Sequence, residues 1–161
     1  MLVSDPFGRS GMLDLPDNTF IAHMEKEETL LDPESAIKDS LLHPSASESL
    51  LSIARRKKEG KDAATAVVFI SDNTRPVPYR GQSGILMPVI DTLMEAGFRP
   101  DEITVLIATG MHRPMGDDEI LSMLDPRLFS LGIRVVNHDP DDGNRLTYLG
   151  RTGRGTSVYH N

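Results

Sequence analysis

The sequence predicts an α/β fold with a mostly parallel sheet, helices on both faces and a small β element at the N-terminus. Three observations carry this. Ala66–Ile70, Ile103–Ala108 and Ile133–Val136 are short, nearly continuous apolar runs, the pattern of parallel strands covered on both faces. Leu86–Ala96 and Asp117–Leu124 lie between them as helices, so the order is β-α-β-α-β at regular spacing. Right-handed crossovers between successive parallel strands then bring the helices onto the sheet. With 161 residues, the whole of 1–161 is read as a single α/β domain able to bury its own core.

Taken in order, Leu13-Asp14-Leu15 alternates briefly before the turn composition Pro16-Asp17-Asn18, and Thr19–Ala22 reads as a second short strand. These make the small N-terminal β element. His23, among acids, reads as a surface residue. Asp32-Pro33-Glu34 has an N-cap, a proline at the first helical position and an acid in the first turn; this helix runs to about Leu42 and stops before Pro44. Ser45-Ala46-Ser47-Glu48 fits a capping box for the next helix, whose apolar stripe is Leu50, Leu51 and Ala54. Arg55-Arg56-Lys57-Lys58 falls in its last turn, where cations favour the helix terminus and Gly60 supplies a left-handed stop. A structural helix end explains this run better than a nucleic-acid patch, because 24 acidic residues face 17 basic ones and the net charge is −7. Gly97 closes the Leu86–Ala96 helix, and Asp117–Leu124 has an acidic first turn. Leu146–Leu149 and Ser157–Tyr159 read as short strands flanking the turn Gly150–Gly155.

The absence of cysteine excludes disulfides, thiolate metal sites and cysteine nucleophiles. No apolar run is long enough to span a bilayer. The start Met1-Leu2-Val3-Ser4-Asp5-Pro6 lacks the basic and apolar regions of a signal peptide. The expectation is a cytoplasmic protein that engages neither membrane nor nucleic acid.

The chemistry gathers after the strands. In open α/β sheets ligands bind beyond the carboxyl ends of the strands. The first strand leads into Ser71-Asp72-Asn73-Thr74-Arg75-Pro76, the second into Thr109-Gly110-Met111-His112-Arg113-Pro114, the third into Asn137-His138-Asp139. Three parallel neighbours would place these loops on one rim. Arg75 is a permanent cation with a planar fork suited to a carboxylate or phosphate. Asn73 and Thr74 can donate to anionic oxygens, and Asp72 can accept from hydroxyls such as those of a ribose. His112 can move a proton near neutral pH. Gly110 permits a tight turn and close approach of a ligand. A carboxylate clamp beside a histidine base suits proton or hydride chemistry on a small acid. His138, beside Asp139 and the acidic turn Pro140–Gly143, reads more readily as a structural loop residue. No G-x-G-x-x-G follows a strand, so a conventional dinucleotide site is not expected, and Gly150-x-x-Gly153-x-Gly155 precedes a strand and reads as a β turn.

Ser71–Pro76 together with Ala108-Thr109-Gly110-Met111-His112-Arg113-Pro114 resembles the N-terminal domain of the nickel-dependent lactate racemase family. The resemblance extends to Leu15-Pro16-Asp17, Asn137-His138-Asp139, Leu149-Gly150-Arg151-Thr152 and Gly155-Thr156, nearly the whole chain. It implies a Rossmann-like sheet and an enzyme, an isomerase that racemises or epimerises 2-hydroxy acids. The implied cofactor is a nickel pincer nucleotide, a pyridinium bis-thiocarboxylate mononucleotide that accepts and returns a hydride. By similarity Asp72, Asn73, Thr74 and Arg75 contact this cofactor, Arg75 also orients the substrate carboxylate, and His112 is the base for the substrate hydroxyl. No metal ligand is expected within this chain. Family members are far longer, and the second catalytic histidine, the cofactor-bearing lysine and the nickel-ligating histidine lie in a C-terminal domain. The chain alone is thus expected to be inactive, with the C-terminal domain and a small 2-hydroxy acid as its partners, and with self-association through an apolar face left where that domain would pack.

Two other readings compete on the residues alone. One is a divalent-metal-assisted hydrolase using His112, His138, Asp72 and Asp139 as ligands. The other is a non-catalytic module that binds an anion or nucleotide through the Arg75 loop.

Overall fold

The structure is a computed structural model that describes residues 2–4, 10–12, 14–20 and 30–160. Its centre is a parallel sheet of β3 (Ala66–Ser71), β4 (Ile103–Ala108) and β5 (Arg134–Asn137), in that spatial order. Ala66 pairs with Ile103 and Thr104 with Arg134, so the three strands end level at their carboxyl ends. The strand-ending loops therefore open on one rim, as the sequence predicts.

The α/β class, the parallel sheet and the small N-terminal β element are those expected. The N-terminal element is an antiparallel hairpin of β1 (Leu2–Ser4) and β2 (Ser10–Met12), earlier in the chain than the alternation at 13–22 suggests. Asp14–Phe20 holds a turn, with Thr19 N donating to Pro16 O at 3.0 Å, and no strand. Leu13, Ile21, Ala22 and His23 lie outside the described residues.

Helix α1 (Pro33–Leu42) begins as its sequence dictates: the Asp32 carboxylate accepts from Ser35 N at 3.1 Å. Helix α2 (Leu50–Lys58) does not use the expected box at 45–48. Ser49 is its cap, accepting from Ser52 N at 3.2 Å, while Ala46 takes a left-handed φ of 54° that breaks any helical path before it. Glu48 instead reaches forward to Arg56 at 2.6 Å. The basic run is a helix end. Arg55 pairs with Glu95, Lys58 pairs with the buried Glu102 at 2.7 Å and lies over the Phe98 ring, and Gly60 has φ 66°.

Helix α3 (Leu86–Glu95) ends in a turn at Gly97, φ 100°. Helix α4 (Asp117–Met123) is followed by a helix not anticipated, α5 (Pro126–Ser130). Its signal was present: Asp125-Pro126 repeats the Asp-Pro start of α1, and Asp125 accepts from Arg127 N at 3.0 Å. Among the described residues no helix is long and apolar enough to cross a membrane.

The core lies on one face of the sheet. Ile70, Ile103, Val105 and Ile107 point there with Ala54, Ile90, Leu93, Ile120, Leu124 and Leu128 from α2 to α5. The opposite face carries Val67 and Phe69, which are 50% and 70% exposed. Cover on both faces is therefore not found among the described residues, for a topological reason. The strands advance in one direction, β3 to β4 to β5, and right-handed crossovers made in one direction set their helices on one face. An ion pair from Arg127 in α5 to Asp91 in α3, at 2.8 Å, joins the helices of that layer.

The chain closes with an antiparallel hairpin, β6 (Thr147–Arg151) and β7 (Ser157–His160), with a bulge between Tyr148 and Gly150. Tyr148 and Tyr159 face each other across it with ring centroids 5.3 Å apart.

Candidate active site

The loop after β3 is folded by its own backbone. Arg75 N donates to Asp72 O at 3.3 Å and Val77 N to Arg75 O at 2.8 Å. Buried Tyr79 returns to the strand end, where its hydroxyl accepts from Ser71 N at 2.9 Å and shares a hydrogen bond with Ser71 Oγ. The loop after β4 turns at Gly110, φ 60°, which lets His112 N donate to Thr109 O at 3.0 Å. A side chain at Gly110 would be strained by that φ, although nothing lies within 4 Å of where its Cβ would sit.

Side chains stitch the three loops together. Thr109, buried, donates from Oγ1 to His138 O at 3.1 Å. Asn137 holds both backbone groups of Met115: its Oδ1 accepts from Met115 N and its Nδ2 donates to Met115 O, each at 3.0 Å. Asn73 Nδ2 donates to Glu119 Oε1 at 3.2 Å.

The central contact is Asp72 with His112. His112 Nδ1 lies 2.6 Å from Asp72 Oδ2; the Asp72 side chain is 6% exposed and that of His112 56%. The other Asp72 oxygen accepts from Thr74 Oγ1 at 2.5 Å and Thr74 N at 3.2 Å. The Thr74 hydroxyl first, and His112 second, hold the Asp72 carboxyl down at about 2. An ionised carboxylate only accepts, so the Asp72 contact places an imidazole proton on Nδ1 and leaves Nε2 as the ring nitrogen able to exchange a proton. That is the orientation of a general base.

The predicted residues are thus placed as follows. Asp72 and His112 meet directly. Thr74 spends its donors on Asp72, and Asn73 gives one amide hydrogen to Glu119. Arg75 is exposed, and its guanidinium meets no acid among the described residues. His138 lies on the same rim through its backbone, and its Nδ1 is buried without a hydrogen-bond partner among the described residues. Among the described residues no three His, Asp or Glu side chains gather to hold a metal, so the four-ligand hydrolase arrangement of His112, His138, Asp72 and Asp139 does not form. Sequence reasoning missed Glu119 and the clamp made by Asn137. The former looks like an ordinary first-turn acid, and the latter gains its meaning only when Met115 is brought beside it.

A family model described as the lactate racemase N-terminal domain matches residues 8–161. The chain belongs to that family. Two curated lactate racemases are similar to this lactate racemase N-terminal domain. The one from Lactiplantibacillus plantarum is 27% identical over 125 residues, 78% of this chain and 27% of that protein. The one from Thermoanaerobacterium thermosaccharolyticum is 26% identical over 150 residues, 90% of this chain and 33% of that protein. The domain therefore spans about a quarter to a third of the curated relatives it matches. The solved lactate racemase apoprotein of Thermoanaerobacterium thermosaccharolyticum shares the fold, with a TM-score of 0.70 at 24% identity over 98% of this chain and 34% of that one.

Proposed function

We propose that this chain is the N-terminal domain of a longer racemase or epimerase of 2-hydroxy acids, and that it supplies the carboxylate-binding arginine and one catalytic base. The observation that carries the reading is the Asp72–His112 pair, with Arg75 in the same loop exposed and meeting no acid among the described residues. Racemisation at C2 of a hydroxy acid through a ketone requires that the hydroxyl lose its proton. His112 Nε2 takes that proton and gives it back, while Asp72 holds the ring and stabilises the imidazolium. Arg75 grips the substrate carboxylate with its fork.

The residues present fit an anionic nucleotide. Arg75 offers an exposed cation that meets no acid among the described residues, the exposed Asn73 amide gives only one hydrogen to Glu119, Thr74 lies exposed beside them with its donors on Asp72, and the turn at Gly110 leaves open space. In this reading Asp72, Asn73, Thr74 and Arg75 hold a nickel pincer nucleotide. When bound, that cofactor supplies hydride acceptance and return at C2. In the same reading a second base, a tethering lysine and a nickel ligand come from a C-terminal domain; the chain spans 27% and 33% of the two curated relatives, which leaves length for one. That C-terminal domain and a small 2-hydroxy acid are the partners, and a cytoplasmic location goes with the cysteine-free composition.

The test is racemisation of a panel of 2-hydroxy acids by the complete cofactor-loaded protein, in both directions. Interconversion of at least one acid, absent from the isolated domain, supports the proposal. Tight phosphate or nucleotide binding through Arg75 with no turnover would favour a binding module instead.

A further inference from the structure

A second bridge runs beside the Asp72–His112 contact. Glu119, the third residue of α4, receives four hydrogen bonds. Its Oε2 accepts from Gly116 N at 2.9 Å and from Arg113 NH1 at 2.8 Å. Its Oε1 accepts from Arg113 NH2 at 2.8 Å and from Asn73 Nδ2 at 3.2 Å. Arg113 is the residue after His112, and Asn73 is the residue after Asp72. One carboxylate therefore ties the neighbour of the base to the neighbour of the base's partner.

We infer that Glu119 is a positioning residue of this site: it sets the approach of the β3 loop to the β4 loop and so holds His112 Nδ1 on Asp72. The functional meaning of this inference rests on the proposed role of His112 as a base, whereas its structural content does not. A helix cap alone needs the contact to Gly116 N and nothing more. The fork of Arg113 and the amide of Asn73 add a cross-loop link that a cap does not require. An isolated surface ion pair is weak, but here the side chain of Glu119 is 31% exposed and its bidentate partner fixes orientation as well as charge. Arg113, first, and the Gly116 N–H hold the Glu119 carboxyl down at about 2, so the clamp stays charged wherever the base operates. Glu119 touches no reacting atom; it acts through Asn73 and Arg113.

The experiment follows the His112 Nδ1 proton by NMR in the isotopically labelled 161-residue chain. A short hydrogen bond to a carboxylate moves that proton far downfield and slows its exchange. Glu119→Gln and Asn73→Ala are compared with Asp91→Asn, which removes a bidentate pair with Arg127 on the far helices. Asn73→Ala leaves the helix cap intact, so it reports even where a Glu119 variant folds poorly. The expected result is an upfield shift or loss of the His112 signal in Glu119→Gln and Asn73→Ala, and no change in Asp91→Asn even where thermal stability falls equally. An unchanged signal in both site variants would reduce Glu119 to a helix cap and overturn the inference. In the complete enzyme, Glu119→Gln is then expected to lower kcat with little change in KM. If racemase activity is absent altogether, the NMR result still decides the clamp.

Discussion

His112 Nδ1 and Asp72 Oδ2 lie 2.6 Å apart although 40 residues separate them in the chain. The contact exists because β3 and β4 are paired in parallel and their carboxyl ends are level. In the complete protein, His112→Gln keeps polarity and removes the base that the proposed function assigns to this position. It is expected to lower turnover about 10²–10⁴-fold while cofactor content, read by absorbance, is unchanged. Near-normal turnover would leave His112 a loop residue.

The depressed Asp72 carboxyl has a consequence for acid stability. Its folded value, about 2, lies below the ordinary 3.8, so its contribution to stability is complete above 3.8 and is lost as pH falls toward 2. Glu119, lowered from 4.5 to about 2, acts in an overlapping window. Melting temperature against pH is therefore expected to drop more gently in Asp72→Asn than in the parent chain across this range. The Glu119 contribution keeps some slope. Parallel curves would show that Asp72 has no linkage to folding.

Arg75→Lys keeps the charge and loses the fork. Since Arg75 is exposed and meets no acid among the described residues, its replacement is expected to move stability by less than about 0.5 kcal/mol. Substrate affinity of the complete enzyme is expected to weaken about tenfold, the weight of one charge-assisted hydrogen bond. A sharp fall in melting temperature with affinity intact would mark a structural arginine.

The sheet face left without cover among the described residues predicts self-association of the domain at high concentration. Phe69→Ser, on that face and 70% exposed in the parent, is expected to shift the sedimentation profile toward monomer. A parent chain that is monomeric throughout would dispose of this expectation.

Ile107 is fully buried at the centre of the sheet. Ile107→Ala is expected to cost about 2–5 kcal/mol by denaturant unfolding. It lies two residues before Thr109, and its carbonyl receives both Thr109 N and His138 N, so the same variant tests how far the rim depends on the strand beneath it.

The three apolar runs and the caps at Asp32 and Gly60 made most of the fold legible in the sequence, because burial and capping are local requirements. The rim was legible too, since parallel strands bring their exits together. What one sequence does not display is which polar group pairs with which. The sequence does not tell that Asp72 pairs with His112, and Glu119 reads as a helix-start acid until Asn73 reaches it. The single-sided core was missed for a similar reason. Apolar runs look alike whether one face or both are covered, and only strand order decides where the crossovers lie.

The tyrosines give the molecule its own optical reporters. The chain has three, and no tryptophan. Tyr148 and Tyr159 sit together on the terminal hairpin, exposed, while Tyr79 is buried with its hydroxyl on Ser71, one residue before Asp72. Substituting phenylalanine at 148 and 159 leaves a single phenol chromophore anchored beside the carboxylate that orients His112. Near-ultraviolet dichroism and emission from that one ring then track the state of the β3 exit loop as ligands are added, with no label attached.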